Sequence, residues 1–164
     1  VDDILRCAEQ RAEPPFLLIL SEIMDPHNFG AIIRSAEGCG VHGIIVPARR
    51  SAPLSSVVAK TSAGALEHMR IARVTNLAAA IDGLKKSGIW VYGAADGSAD
   101  LYTDTDLRGP LALVIGNEGS GINKLVREKC DRLVRIPMVG NVSSLNASVA
   151  AGVLLYEALR QRSL

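Results

Sequence analysis

The chain has 164 residues, 48% hydrophobic and 21% charged, with a formal net charge of +1 and a mean hydropathy of +0.22. This composition excludes an intrinsically disordered chain and allows one substantial core, so a single compact domain is expected. The near-neutral charge excludes a field that would hold nucleic acid indiscriminately, although thirteen of the eighteen basic residues are arginine, the type best suited to local phosphate contacts.

Residues 1–15, VDDILRCAEQRAEPP, are polar, end in Pro14 and Pro15 and lack an initiator methionine. They read as a linker remnant, with an N-terminal segment expected ahead of them. From residue 16 onward, short β-type apolar runs alternate with longer helical patterns. Strands are predicted at residues 16–20, 43–46, 70–74, 89–93, 111–115 and 133–136. Helices are predicted at about 30–39, 54–65, 77–87, 123–129 and 146–161. Strands such as 16–20 and 111–115 read as continuous apolar runs rich in Val, Ile and Leu, without apolar–polar alternation. They predict an α/β fold with a parallel sheet carrying helices on both faces.

Cys7, Cys39 and Cys130 are odd in number and far apart, with no C-x-x-C pair and no zinc-type histidine spacing. Reduced thiols in a cytoplasmic protein are expected. Apolar runs such as FLLIL and LALVI are far shorter than the ~20 residues of a membrane span. His27, His42 and His68 adjoin no nucleophile-elbow sequence, which argues against a hydrolase. Aromatic residues make up only 4% of the chain, too few for a base-stacking platform. Arg49 with Arg50, and Arg160 with Arg162, are candidate phosphate contacts, and each pair is equally a solvated surface patch.

In a parallel α/β sheet, ligands sit beyond the carboxyl ends of the strands, which directs attention to three loops. The fifth predicted strand runs into GNEGSGI. Gly116 and Gly121 have P-loop separation, but Ile122 and Asn123 stand where a P-loop needs Lys and Ser or Thr. The dinucleotide fingerprint G-x-G-x-x-G fails too, because the order of spacings is reversed and the strand is a late one. What is left is a loop whose backbone can approach a ligand closely, with Glu118 at its tip. The first strand leads into SEIMDPHNFGAIIRSAEGCG, where Asn28 is placed to cap a helix, Gly30 leaves room for a partner and Arg34 can pair with Glu37. The sixth leads into PMVGNVSSLNASVAAG, where Ser143, Ser144 and Asn146 precede a helix of small residues and Ser144 can serve as N-cap. Each loop has an ordinary structural account by itself; all three accounts must hold together in one sheet.

Asn28-x-Gly30-x-x-x-Arg34, Ile115-Gly-Asn-Glu118-Gly-Ser-Gly-Ile122, and Ile136-Pro-Met followed by Ser143-Ser-Leu-Asn146-Ala-Ser-Val-Ala-Ala resemble the three motifs of the SpoU family of RNA ribose 2′-O-methyltransferases. They stand in the family's order and spacing, from about residue 16 to the C-terminus. Within the family, the resemblance is strongest to the bacterial enzymes that methylate a guanosine ribose in large-subunit (23S) ribosomal RNA. It implies a SPOUT-type fold in which the C-terminal segment threads a loop as a deep trefoil knot, an exception to the rule that chains do not knot. It also implies a homodimer with the active site near the subunit interface. Residues 16–164 would be the catalytic domain, and the RNA-binding domain usual in that subgroup would precede residues 1–15. S-adenosylmethionine, with no metal, is the implied cofactor, held by Ala94, Ala95, Gly116, Ile136 and Leu145.

The implied catalytic residues are Asn28, Arg34, Glu118, Ser144 and Asn146. Methyl transfer to a ribose hydroxyl needs the oxygen aligned with the methyl group and relieved of its proton. A guanidinium is a poor literal base, so Arg34 is expected to act electrostatically, oriented with the ribose by Asn28 and Glu118. Ser144 and Asn146 are expected to complete the hydrogen-bond frame. Two alternatives remain at this point: the same chemistry on the guanosine of the transfer RNA D-loop, and a non-catalytic RNA-binding or assembly protein on the same fold.

Overall fold

A computed structural model describes residues 1–163. Seven parallel strands form one sheet: β1 (Phe16–Ser21), β2 (Gly43–Pro47), β3 (Ile71–Val74), β4 (Trp90–Ala94), β5 (Asp100–Leu101), β6 (Leu111–Gly116) and β7 (Arg132–Arg135), in the spatial order β3-β2-β1-β6-β4-β7-β5. The helices are α1 (Asp2–Gln10), α2 (Pro26–Gly38), α3 (Ser56–Thr61), α4 (Leu77–Lys86), α5 (Lys124–Lys129) and α6 (Ala147–Arg162).

Residue alternation explains why the central strands carry no polar face. On β1, Phe16, Leu18 and Leu20 enter one core with Phe29, Ile32 and Ile33 of α2 and Leu154 and Leu155 of α6. Leu17 and Ile19 enter the opposite core with Ile4 of α1, Ile81 and Leu84 of α4 and Val126 of α5. Successive side chains point to opposite faces, and both faces are covered, so β1 is apolar from Phe16 to Leu20.

Residues 1–15 differ from the linker expected of them. They contain helix α1, which buries Ile4, Cys7 and Ala8. The side chain of Ile4 fills the space beside Gly43, where an added Cβ would lie 2.5 Å from Ile4 Cγ1. Three buried residues at positions 4, 7 and 8 suffice for a two-turn amphipathic helix, and the flanking charges hid them. The segment that follows is also fixed. Phe16 N–H donates to His42 Nδ1 at 3.0 Å, His42 Nε2 lies 3.0 Å from Glu13 Oε2, and the Arg162 guanidinium stacks 4.9 Å from the Phe16 ring centroid.

Among the described residues, no helix is long and apolar enough to cross a membrane.

Candidate active site

The carboxyl ends of β1 and β6 lie side by side, with Ser21 in register with Gly116. After β1, Asp25 rather than Asn28 caps α2: its Oδ2 accepts from Asn28 N–H at 2.9 Å, and Pro26 opens the helix. This cap sets Asn28 in the first turn with its side-chain amide uncommitted to the helix. After β6, Asn117 Oδ1 accepts from the N–H groups of Gly119 (2.9 Å) and Ser120 (2.7 Å), and Asn117 C=O accepts from Gly121 N–H at 3.0 Å. The loop therefore doubles back on itself, and a Cβ on Gly116 would lie 2.1 Å from the Gly121 carbonyl carbon. Glycine at 116 thus serves the loop's own closure, and Glu118 is carried at the tip.

The third member comes from the far end of the chain. Asn146 caps α6 with Oδ1, which accepts from Ser148 N–H at 2.9 Å and Val149 N–H at 3.3 Å. Capping demands the acceptor oxygen, so the amide nitrogen must face the other way. There Asn146 Nδ2 donates to Glu118 Oε1 (2.7 Å) and Asn28 Oδ1 (3.0 Å). Asn28 Nδ2 donates to the same Glu118 Oε1 at 2.6 Å, and Ala147 N–H adds a contact at 3.2 Å. Three residues separated by up to 118 positions thus close a ring in which every donor and acceptor assignment follows from its neighbours.

Beside this ring opens a cleft of about 290 Å³. Its walls come from the ends of β4, β6 and β7, the glycine loop, and the segment leading into α6, with Asp96, Glu118 and Arg127 as its charged residues. A cleft made of loops beyond strand ends, near the lower size limit of small-molecule sites, is the ordinary ligand position of an open α/β sheet.

The model of the SpoU rRNA Methylase family matches residues 15–156. The chain belongs to that family. It is 52% identical over 163 residues to YacO of Bacillus subtilis, of the TrmH family of tRNA/rRNA methyltransferases, covering 99% of this chain and 66% of that protein. To the 23S rRNA (guanosine-2′-O-)-methyltransferase RlmB of Photorhabdus laumondii it is 51% identical over 153 residues, covering 93% of this chain and 63% of that protein. Among solved structures, the SpoU methyltransferase AviRb of Streptomyces viridochromogenes, in complex with the cofactor AdoMet, superposes with a TM-score of 0.84 at 34% identity, over 92% of this chain and 59% of that one. The chain thus spans just under two thirds of the length of these two curated relatives.

On this SpoU domain, Ala94, Ala95, Gly116, Ile136 and Leu145 all line the cleft, as do Glu118 and Ser144. Asn28, Glu118 and Asn146 meet in the ring. Three expectations are corrected, at Ser144, Arg34 and Gly30. Ser144 does not cap α6, since Asn146 holds that position. Among the described residues Arg34 makes no hydrogen bond to Asn28 or Glu118: it lies six residues beyond Asn28, about 120° around the helix, and is exposed. It pairs with neither Glu37 nor any other carboxylate among the described residues. Gly30 makes room for a neighbouring helix, not for a ligand, since an added Cβ would lie 1.8 Å from Thr61 Oγ1 of α3.

Asp96 and Arg127 also line the cleft and were not singled out from the sequence, and Met138, part of the third motif, lines it too. Asp96 follows a strand end, the one signal that could have found it. Burial pushes the thiols of Cys39 and Cys130 up to about 11, so neither is an activated nucleophile. Among the described residues, no group of three or more His, Cys, Asp or Glu is arranged to hold a metal ion.

Proposed function

We propose that this SpoU domain transfers a methyl group from S-adenosylmethionine to the ribose 2′-hydroxyl of a guanosine in 23S ribosomal RNA, as a cytoplasmic homodimer. The observation that carries the reading is the Asn28–Glu118–Asn146 ring at the edge of a cleft lined by the glycine loop. The cleft suits a nucleoside bearing a cationic centre. Ile115, Ile122, Ile136 and Leu145 offer apolar walls, the small residues Ala94, Gly116 and Ala147 admit a flat ring closely, and Asp96 and Glu118 complement positive charge. Bound there, S-adenosylmethionine supplies a methyl group on a positively charged sulfur, and its in-line displacement by an oxygen needs no metal.

The chain's residues then have separate tasks. The ring fixes Glu118 Oε1, so the rest of the carboxylate and the Asn28 amide face the ribose as a preset hydrogen-bonding frame. Ser144 adds a hydroxyl at the cleft wall. Arg34, uncommitted among the described residues, binds the adjoining RNA phosphate or the ribose oxygen as its negative charge develops, and the proton leaves to a phosphate oxygen or water. The dimer surface is supported by Val149 (51% exposed) and Tyr156 (56% exposed), one face of α6, with Val142 (68% exposed) before it.

The tRNA/rRNA naming of the Bacillus relative supports a second reading, in which a transfer RNA is the target. Side-by-side transfer of tritiated methyl onto in vitro transcripts of 23S ribosomal RNA and of transfer RNA, with the label mapped by nuclease digestion, separates the two. Label on a 23S guanosine ribose is expected. Label only on transfer RNA selects the second reading, and none on either RNA by a chain that binds the donor contradicts both.

A further inference from the structure

The carboxyl edge of the sheet carries a second built feature beside the cleft. After β2 the chain turns through Ala48, Arg49, Arg50, Ser51 and Ala52. Arg50 sits at φ 59°, and Glu22, just past the end of the adjacent β1, sits at φ 64°. Neither is glycine, and such conformations persist only where the surroundings hold them. Here the surroundings do so. Ala52 N–H donates to Ile23 C=O at 2.8 Å, tying this loop to the one that delivers Asn28. Ser51 Oγ donates to Pro47 C=O at 2.7 Å. Arg73, on β3, donates to Ser51 Oγ (2.8 Å) and Ala52 C=O (3.0 Å), so its guanidinium serves as a brace. Glu22 Oε1 accepts from Arg50 Nη1 at 3.3 Å, steadying one edge of that guanidinium and leaving its remaining donors outward.

What this bracing presents is two arginines. The Arg50 side chain is 76% exposed, and Arg49 is exposed and makes no hydrogen bond or ion pair among the described residues. Neighbouring strands are ~4.8 Å apart, and β1 alone separates β2 from β6, which places the loop roughly 10 Å along the sheet edge from the base of the Glu118 loop. That offset is about one to three nucleotides along a nucleic-acid strand.

We propose that residues 48–52 form a phosphate shelf for the substrate strand, with Arg49 and Arg50 binding backbone phosphates beside the methylated nucleotide. The proposal rests on the RNA methyl-transfer reading and deepens it. Phosphate contacts fix register and affinity without reading bases, which suits a rigid loop bearing two guanidinium groups and no aromatic residue.

The test compares the wild-type chain with Arg49→Gln/Arg50→Gln, Arg49→Lys/Arg50→Lys and the distant control Arg6→Gln. Filter binding to in vitro transcribed 23S ribosomal RNA is measured from 50 to 200 mM KCl, and S-adenosylmethionine binding by calorimetry. The Gln pair is expected to weaken RNA binding by about tenfold or more and to reduce the slope of log Kd against log salt by about 1.4, the value for two lost single-strand contacts. The Lys pair should keep the slope, Arg6→Gln should match wild type, and donor affinity should stay within about twofold throughout, as expected for side chains outside the cleft. A Gln pair with wild-type affinity and slope overturns the shelf, as does loss of donor binding alongside RNA binding or a wild-type chain that binds no RNA. A wild-type chain that binds no donor but shows the slope change supports the shelf and overturns the methyl-transfer reading.

Discussion

At the scale of single residues, Glu118 and His42 show how local chemistry becomes testable. Glu118 Oε1 gathers three donors, from Asn28, Asn146 and Ala147. Glu118→Ala would leave both amides without their common acceptor, and turnover should fall by about 10- to 100-fold, in line with hydrogen bonds to a charged group worth roughly 1.5–3 kcal/mol. Single-turnover methyl transfer measures this, and a variant within twofold of wild type would remove Glu118 from the frame. His42 is buried, with Nδ1 accepting from Phe16 N–H, so Nε2 carries the proton toward Glu13. Burial holds its pKa below the ordinary 6.5, against the opposing effect of the hydrogen bond it donates to Glu13. A depressed histidine contributes stability that is fully present above pH 6.5 and is lost as pH falls through the folded-state value, because the unfolded chain takes up the proton more readily. The urea midpoint should therefore drop between pH 7.5 and pH 5, and His42→Gln should lose part of that drop. An unchanged pH slope in the variant would assign the acid sensitivity elsewhere.

At the scale of elements, the strands were legible because continuous Val, Ile and Leu runs have few other uses in a chain of this size. β1, β2 and β6 start where the apolar runs start. β5 was not legible: two residues, Asp100 and Leu101, are a strand only by pairing with Val134 and Arg135 of β7. The helix predicted over 54–65 is shorter, α3 followed by a 3₁₀ turn at Ala65–Glu67, since Ala63 (φ 51°) and Gly64 (φ 88°) leave the right-handed helical region. Gly30 illustrates the same limit. Its small size is visible in sequence, but Thr61, the neighbour that requires it, is 31 residues away. Gly30→Ala should cost about 1–3 kcal/mol through forced separation of α2 and α3. Chemical denaturation measures it, and a cost below about 0.5 kcal/mol would mean that the two helices part freely.

At the scale of the whole molecule, the site exists only because strand order departs from chain order. β6 inserts between β1 and β4, bringing Glu118 beside Asn28, and α6 returns to pack against α2, bringing Asn146 to both. Periodicity cannot reveal such an order; the three loops were legible as strand-end loops of a parallel sheet, and their joining into one site through the SpoU resemblance. Resemblance did not supply the division of labour within the group: Asn146 as cap and bridge at once, Asp25 as the cap of α2, and Arg34 standing apart from the ring. It also did not supply the reason for Gly116, which is the loop's approach to its own Gly121.

That approach makes Gly116 the most direct handle on the central claim, that the glycine-lined cleft holds S-adenosylmethionine. A Gly116→Ala methyl would lie within 2.1 to 2.3 Å of Gly121 and Ile122 backbone atoms, which cannot be relieved by a side-chain rotation. Calorimetric titration of the wild-type chain and of Gly116→Ala, each checked for folding by circular dichroism, decides the matter. Saturable one-site binding that weakens at least about tenfold in the folded variant, a loss of ~1.4 kcal/mol, is the predicted result. Wild-type binding left untouched by the substitution would place the donor elsewhere, and no binding by a folded wild-type chain would contradict the account.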